Sequence, residues 1–207
     1  MEKDINLISD KILELADLSL NFSKINRVTL HQDGKRPESD TDHTFMLSLL
    51  ACSFANTFYK DKLDIGLVSQ FATVHDLVEV YAGDTNTFNI SHEDRKEKER
   101  REELAYERIY QEFGSVYPWI PSTIEAYESL TTDEAQFVKM VDKVMTKLTH
   151  RINHGAYLKK EGKTREETAR HYNTQTQVIE EKWGTKFPEV IDILRKLTGD
   201  ILEETYA

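Results

Sequence analysis

His43-Thr44-Phe45-Met46-Leu47-Ser48-Leu49-Leu50-Ala51-Cys52-Ser53-Phe54-Ala55-Asn56-Thr57-Phe58 carries His43, Leu47, Leu50, Phe54 and Phe58 at steps of four, three, four and four. That spacing returns to one side of a 3.6-residue turn, so the stretch reads as an amphipathic helix with a histidine at the head of its apolar stripe. The apolar run inside it, Phe45 to Ala55, is eleven residues long and broken by two serines. A bilayer span needs about 20 such residues, so no membrane helix is expected.

The same period extends along the chain in both directions. Upstream, Ile8, Ile12, Leu15, Leu18 and Phe22 form one stripe. Between the two helices, Asn26 to Ser39 holds Gly34 and Pro37 among polar residues and reads as a loop of about a dozen residues. Downstream, a helix over about Asp64 to Val80 places Val68, Phe71, Ala72, His75 and Glu79 on one side and ends near Gly83. Glu93 to Glu103 has five basic and six acidic residues, the pattern of a solvated helix held by i,i+4 pairs rather than a binding patch. Pro118 and Pro121 bracket a turn around Trp119. Thr131 and Glu134 then read as a capping box opening a helix with Phe137, Val138, Val141, Met145, Leu148 and Ile152 inward, and Asp142 beside that stripe. Thr164 with Glu167 repeats the capping signature for a helix to about Trp183, and Pro188 starts a last one through Ile191, Leu194 and Leu197. Eight glycines and four prolines in 207 residues leave the sequence free to follow this period. The chain reads as all-α, one helical domain over 1–207, with a core of about 24–150 and C-terminal helices of about 164–204 packed on it.

Charge narrows the partners. Twenty-seven Lys and Arg against 37 Asp and Glu give 27 − 37 = −10, which opposes attraction to nucleic acid polymers or anionic membranes. An anionic ligand must therefore be held by a few local cations. The opening Met1-Glu2-Lys3-Asp4 has no apolar run behind positive charge, which sets the expectation of a cytoplasmic protein. The single Cys52, inside an apolar run, reads as a small core residue.

Three helices each bring polar residues onto or beside an apolar stripe: His43, His75 with Asp76, and Asp142. Burying such groups unpaired is expensive, whereas two imidazoles and two carboxylates around a divalent cation form a good ligand set. A thiolate-free N/O set suits Mn, Co, Fe, Ni or Zn better than Ca, and it leaves coordination positions open, as catalysis requires. Glu79 falls one turn after His75, within reach for acid/base work, and Asp84 follows Gly83 at the helix exit.

The segments Arg36-Pro37-Glu38-Ser39-Asp40-Thr41-Asp42-His43, His75-Asp76-Leu77-Val78-Glu79-Val80-Tyr81-Ala82-Gly83-Asp84 and Lys139-Met140-Val141-Asp142-Lys143 resemble the HD-domain metal-dependent phosphohydrolases. Within that superfamily the chain is most similar to the YfbR-like 5'-deoxynucleotidase branch, over about Arg27 to Asp142. The resemblance implies an HD-domain helical bundle, a nucleotide substrate and a homodimer. It also implies one divalent ion (Mn, Co, Zn, Ni, Fe or Mg) on His43, His75, Asp76 and Asp142. By it Glu79 is the acid/base candidate, Asp84 contacts substrate or water, Arg27 orients the phosphate, and Glu128 lies where the family closes over the nucleoside. Val28 stands where the deoxynucleotidases are expected to carry a Trp beside the arginine. Dinuclear HD enzymes use two further histidines between the His-Asp pair and the last Asp; here only His92 lies there, so a mononuclear site is expected. His31, His150, His154 and His171 receive no chemistry.

The expected reaction is removal of phosphate from (deoxy)ribonucleoside 5'-monophosphates. Hydrolysis of nucleoside triphosphates at the same site is the alternative, for which Lys35, Arg36 and Lys143 are the candidate extra cations. A non-catalytic nucleotide-binding module is the second alternative, and Glu79 beside an intact ligand set argues against it.

Overall fold

The computed structural model describes residues 4–86 and 90–207. Its central helix α2 (Asp40–Phe58) begins at a capping box. The Ser39 hydroxyl accepts the Asp42 N–H and the Asp42 carboxylate accepts the Ser39 N–H, both at 3.1 Å. Two orphan donors of the first turn are thus satisfied, which fixes where the helix starts and so where His43 points. Leu47, Ala51 and Ala55 are fully buried along it, while Phe58 turns out to solvent.

The segment expected to be a loop is instead a hairpin. Strand β1 (Asn26–Leu30) pairs antiparallel with β2 (Pro37–Ser39), with an irregularity in register between them. Two strands of five and three residues are too short to show the alternation that marks a strand in sequence. The consequence is functional, because β1 presents Arg27 and Thr29 and β2 presents Glu38. Before the hairpin, α1 (Ile5–Phe22) buries Leu18 and Phe22 but leaves Ile12 exposed, so its apolar stripe is covered only at the C-terminal end.

The helix expected over about 64–80 is broken. After α3 (Ile65–Val74) the chain turns through residues 75–78 and resumes as the short α4 (Glu79–Ala82). In the break the N–H of Leu77 bonds to the Val74 carbonyl and that of Glu79 to the Asp76 carbonyl, i→i−3 bonds that tighten the turn. His75 Nδ1 donates to the Ala72 carbonyl at 2.9 Å, which orients the ring at the end of α3. Glu79 therefore does not continue the face of α3. Gly83 ends α4 with φ 74°, a value that disfavours side chains, and so releases Asp84 from the helix direction.

Next come α5 (His92–Phe113), α6 (Trp119–Glu128) and α7 (Asp133–Ile152). Trp119 opens a helix rather than sitting in a turn, and the cap of α7 is Thr132, which accepts the Ala135 N–H, in place of Thr131. Glu134 instead accepts the Asp64 N–H and ties α7 to the start of α3. A short α8 (Ala156–Lys160) leads to α9 (Arg165–Trp183), with the capping box expected at Thr164 and Glu167, and to α10 (Pro188–Thr205). The main core joins α2, α3, α7 and α10 through Leu47, Phe71, Phe137, Val141, Met145 and Leu194; a second joins α5 and α6 to α1 and α4 through Ile109, Phe113, Ile124 and Leu18. Ile152, expected inward, is exposed past the end of the core. The fold is all-α apart from the hairpin, and no helix among the described residues is long and apolar enough to cross a membrane.

Lys147 lies fully buried on α7, its Nζ donating to Gln175 Oε1 at 2.7 Å and standing 4.4 Å from the Tyr172 ring centroid. Burial, helped by Lys143, lowers its pKa to about 7. Between that value and the ordinary 10.5 the unfolded chain binds the extra proton, so stability rises with pH across this window. Lys147→Met is expected to flatten that rise, read by urea unfolding at about pH 7 and about pH 10. An unchanged rise in the variant would place its origin in other groups.

Candidate metal centre

Four elements converge on one buried cluster: the first turn of α2, the break after α3, the middle of α7, and the hairpin. His43, His75 and Asp142 each offer one ligand atom, all within 4.8 Å of one another. His43 Nε2 is 3.0 Å from Asp142 Oδ1, and the two imidazole centroids are 5.3 Å apart. Asp76 adjoins them, its Oδ2 3.0 Å from His75 Nε2. That contact lacks the alignment of a hydrogen bond, and His75 Nε2 has no hydrogen-bond partner among the described residues although it is buried. A buried imidazole nitrogen that faces carboxylates and makes no hydrogen bond fits a ligand atom for a cation. Two imidazoles with carboxylates and no thiolate fit a first-row divalent ion.

The electrostatics agree. Burial would lower the His43 pKa, as would Arg27, but hydrogen bonds to Asp142 and Glu38 overcome both and lift it to about 9. Burial would raise the Asp142 carboxyl, yet Lys143, His43 and His75 hold it well below the usual carboxylate range. Lys143 Nζ donates to Asp142 Oδ2 at 2.6 Å.

A second carboxylate group, Asp40, Asp76 and Glu79, closes around Arg27. Arg27 Nη1 donates to Asp76 Oδ2 at 2.7 Å and to Asp40 Oδ1 at 3.2 Å, and stands 3.9 Å from Glu79 Oε2. The guanidinium thus occupies the middle of this second group. Burial opposes its charge, but Asp76, Asp142, Asp84 and Glu79 together raise its pKa above the ordinary arginine value. Glu79 is almost fully buried, and its Oε2 has no hydrogen-bond partner among the described residues. Burial, followed by Asp76, Asp84 and Asp40, pushes its pKa up to about 11 against the pull of Arg27. Asp84 is raised by burial, with Arg27 opposing.

Part of this cluster lines a cavity of about 1020 Å³. Arg27, Asp76, Glu79, Asp84, Glu128 and Asp142 face it, as does Val28. Of the candidate extra cations, Lys143 lines the cavity; Arg36 is exposed and bonds Asp42 at 2.7 Å, and Lys35 is exposed. The charged segment of α5, read from sequence as a solvated face, contributes Arg95, Lys98, Glu99 and Glu102 to the lining. Lys98 Nζ lies 3.9 Å from Glu79 Oε1, and Arg101 donates to the Ala82 carbonyl and, at 2.7 Å, to Thr85. A charge run looks alike in sequence whether it faces water or a polar cavity.

A family model described as "HD domain" matches residues 21–183. The chain belongs to the HD domain family. The match spans the hairpin and helices α2 to α9, so every residue of the cluster lies within it. Among curated relatives, "5'-deoxynucleotidase HDDC2" of Homo sapiens is 32% identical over 115 residues, 55% of this chain and 53% of that protein. The protein of the same description from Mus musculus is 31% identical over 115 residues, 55% of this chain and 54% of its own length. The chain spans about half the length of these relatives. Among solved structures, a "Predicted metal-dependent phosphohydrolase" from Magnetospirillum magnetotacticum MS-1 superposes with TM-score 0.75 at 23% identity, covering 95% of this chain and 96% of that one. A conserved hypothetical protein from Pyrococcus furiosus gives TM-score 0.61 at 23% identity, covering 89% and 99%. These two likenesses establish a shared HD-type fold.

Two buried acids of the HD domain escaped the sequence reading. Asp40 is fully buried against Arg27, and burial, opposed by Arg27, raises its pKa to about 6. Glu38 is buried between the hairpin and α7, with Oε1 3.0 Å from His43 Nδ1 and Oε2 accepting the Thr149 hydroxyl at 3.0 Å. Glu38 fixes the ring of His43 so that Nε2 faces the cluster, as an outer carboxylate would behind a histidine able to hold a metal. Both sit in the quoted segment Arg36 to His43, where an acid after a proline looks like any surface acid. Glu38→Gln is expected to weaken affinity for Mn or Zn about 10- to 100-fold with the fold retained, measured by calorimetric titration of the metal. Unchanged affinity would remove Glu38 from the positioning of His43.

Proposed function

We propose that this chain is a metal-dependent phosphohydrolase that removes phosphate from (deoxy)ribonucleoside 5'-monophosphates. The observation that carries the reading is the guanidinium of Arg27 fixed 2.7 Å from Asp76, beside the His43, His75 and Asp142 cluster, with Arg27, Asp76 and Asp142 facing one cavity. The likeness to proteins named 5'-deoxynucleotidase supports the substrate class. His43, His75, Asp76 and Asp142 would hold the ion. Such an ion supplies Lewis acidity, making water nucleophilic near neutral pH and drawing charge from a phosphoryl oxygen.

The protein's own groups do the rest. Arg27 offers a planar fork of donors to the equatorial phosphoryl oxygens and keeps its charge at any working pH. Water adds to phosphorus, the bond from phosphorus to the 5'-oxygen breaks, and the proton lost by water must reach that oxygen. Glu79, whose Oε2 is free of hydrogen bonds among the described residues and whose pKa is raised, gives its proton to the leaving oxygen and takes the proton lost by the attacking water, so it ends the cycle protonated as it began. Asp84, released from α4 by Gly83, positions the water or a sugar hydroxyl. The products are a nucleoside and phosphate.

A second reading, hydrolysis of nucleoside triphosphates, draws on the additional cations facing the cavity, Arg95, Lys98, Lys139 and Lys143. One assay separates the two: ribo- and deoxyribonucleoside mono- and triphosphates incubated with Mn, Co, Mg and Zn, products resolved by chromatography. Orthophosphate from monophosphates is the expected result. Tripolyphosphate from triphosphates would favour the second reading, and inertness of every nucleotide under all four ions would overturn both.

A further inference from the structure

Helix α5 turns two cations toward α4, one turn apart. Lys98 stands near Glu79, and Arg101 reaches the exit of α4. Arg101 Nη1 donates to the Ala82 carbonyl, and Nη2 donates to the Thr85 hydroxyl oxygen at 2.7 Å. The acids at i−4 and i+1 from it along α5 pair with other cations, Glu97 with Arg100 and Glu102 with Lys98. An arginine of an acidic helix is thus committed to a carbonyl and a hydroxyl that lie on either side of Gly83 and Asp84.

A helix end asks for less. Ala82 is the last residue of α4, and the final carbonyls of a helix lack intrahelical donors, so one bond satisfies this oxygen. The second bond lies three residues further on, beyond the helix. Between the two, Gly83 takes φ 74° and ψ 148°. Asp84, which follows it, lines the cavity. The missing Cβ that permits this turn also makes Gly83 the most permissive joint of the segment. Among the described residues other than its chain neighbours, Arg101 Nη1, at 4.0 Å, is the one atom a Cβ on Gly83 would meet. A guanidinium suits the task of holding such a joint, because its donors are fixed in one plane and less freedom is lost for each bond made. The packing of α4 on α5 is carried elsewhere, by Val78 and Ala82 in the second core with Ala105 and Ile109.

We infer that Arg101 is a positioning residue for the hydrolytic reaction: by bridging Ala82 and Thr85 it fixes the Gly83 joint and with it the direction of the Asp84 carboxylate. The inference rests on the reading above, in which Asp84 positions the water or a sugar hydroxyl, and deepens it. A group that acts through Asp84 has nothing left to do once Asp84 is disabled, so the two losses must overlap rather than multiply.

The test compares Arg101→Met, Asp84→Asn and the double variant on the full chain with Mn. The substrates are dAMP and p-nitrophenyl phosphate, a phosphomonoester without base or sugar. Arg101→Met is expected to lower kcat about 10- to 100-fold, the cost of a misplaced reacting group. KM is expected to stay within about threefold, with metal per chain and urea midpoint near wild type. In the Asp84→Asn background the same change is expected to cost less than about twofold. Thr85→Val removes one anchor and is expected to show a smaller fall, which also vanishes in that background; it decides the matter if Arg101→Met does not fold. The amides of Ala82 and Gly83, bonded to the Val78 and Glu79 carbonyls, are expected to exchange hydrogen faster in both variants. Losses that multiply in the double variant, a change confined to KM, or unaltered exchange overturns the inference. Turnover of p-nitrophenyl phosphate without turnover of dAMP counts against the nucleotide substrate alone and leaves the cycle measurable; turnover of neither ester overturns both.

Discussion

Asp142→Asn is expected to lose bound divalent ion and phosphohydrolase turnover together, with kcat/KM falling by more than about 10³-fold. Asp142 is buried between His43 Nε2 at 3.0 Å and Lys143 Nζ at 2.6 Å, and supplies the negative charge that both of those groups face. An amide keeps the shape but removes that charge, and it leaves Lys143 unopposed beside His43 and Arg27. Breaking a buried ionic group from one side is costly, so urea unfolding must accompany the assay. Metal per chain is measured by mass spectrometry after gel filtration in a trace of Mn or Zn. A folded variant that keeps one ion per chain and full turnover would remove Asp142 from the ligand set, and with it the centre as drawn.

Glu79→Gln should behave differently, losing about 10²- to 10⁴-fold in turnover while retaining the ion. The glutamate is buried against Asp76, Asp84 and Asp40, which keep its proton on at neutral pH, and Arg27 pulls in the opposite direction. A divalent ion held at the neighbouring cluster would act in the same direction as Arg27 and lower the carboxyl toward the range where it exchanges protons with water. Glutamine keeps the volume and the buried position but has no proton to transfer. Loss of the ion in this variant would make Glu79 a ligand, and unimpaired turnover would move the proton transfer to Asp84 or to solvent.

Helical period and capping chemistry were readable residue by residue. The stripe of α2 as far as Phe54, the capping box of α9 and the proline that opens α10 stand where their local signals put them, because those signals depend on neighbours three or four positions away. The polar residues on the stripes were also readable as a problem, since a buried His or Asp demands a partner wherever it occurs. Which partner it finds is another matter. His43 and Asp142 are 99 positions apart, and Glu38 reaches Thr149 over 111. No periodicity records such meetings.

The misreadings share one cause. A hairpin of two short strands looked like a loop because its pairing is decided by what packs over it. The helix through His75 looked continuous because its four-residue break contains no glycine or proline; the i→i−3 bonds and the His75 bond to Ala72 make the break. The charge run of α5 looked solvated because sequence does not say which side of a helix meets a cavity.

By itself, then, the sequence determined that the chain is helical, that three segments carry groups too polar for the faces they occupy, and that those groups resemble an HD ligand set. Only the tertiary structure decided that Arg27 sits among Asp40, Asp76 and Glu79, that Glu38 holds His43, and that Arg101 bridges the exit of α4. The physical reason is range: backbone propensity and amphipathic period act over one or two turns of chain, whereas desolvation and charge pairing depend on groups brought together from far apart by the packing of the core.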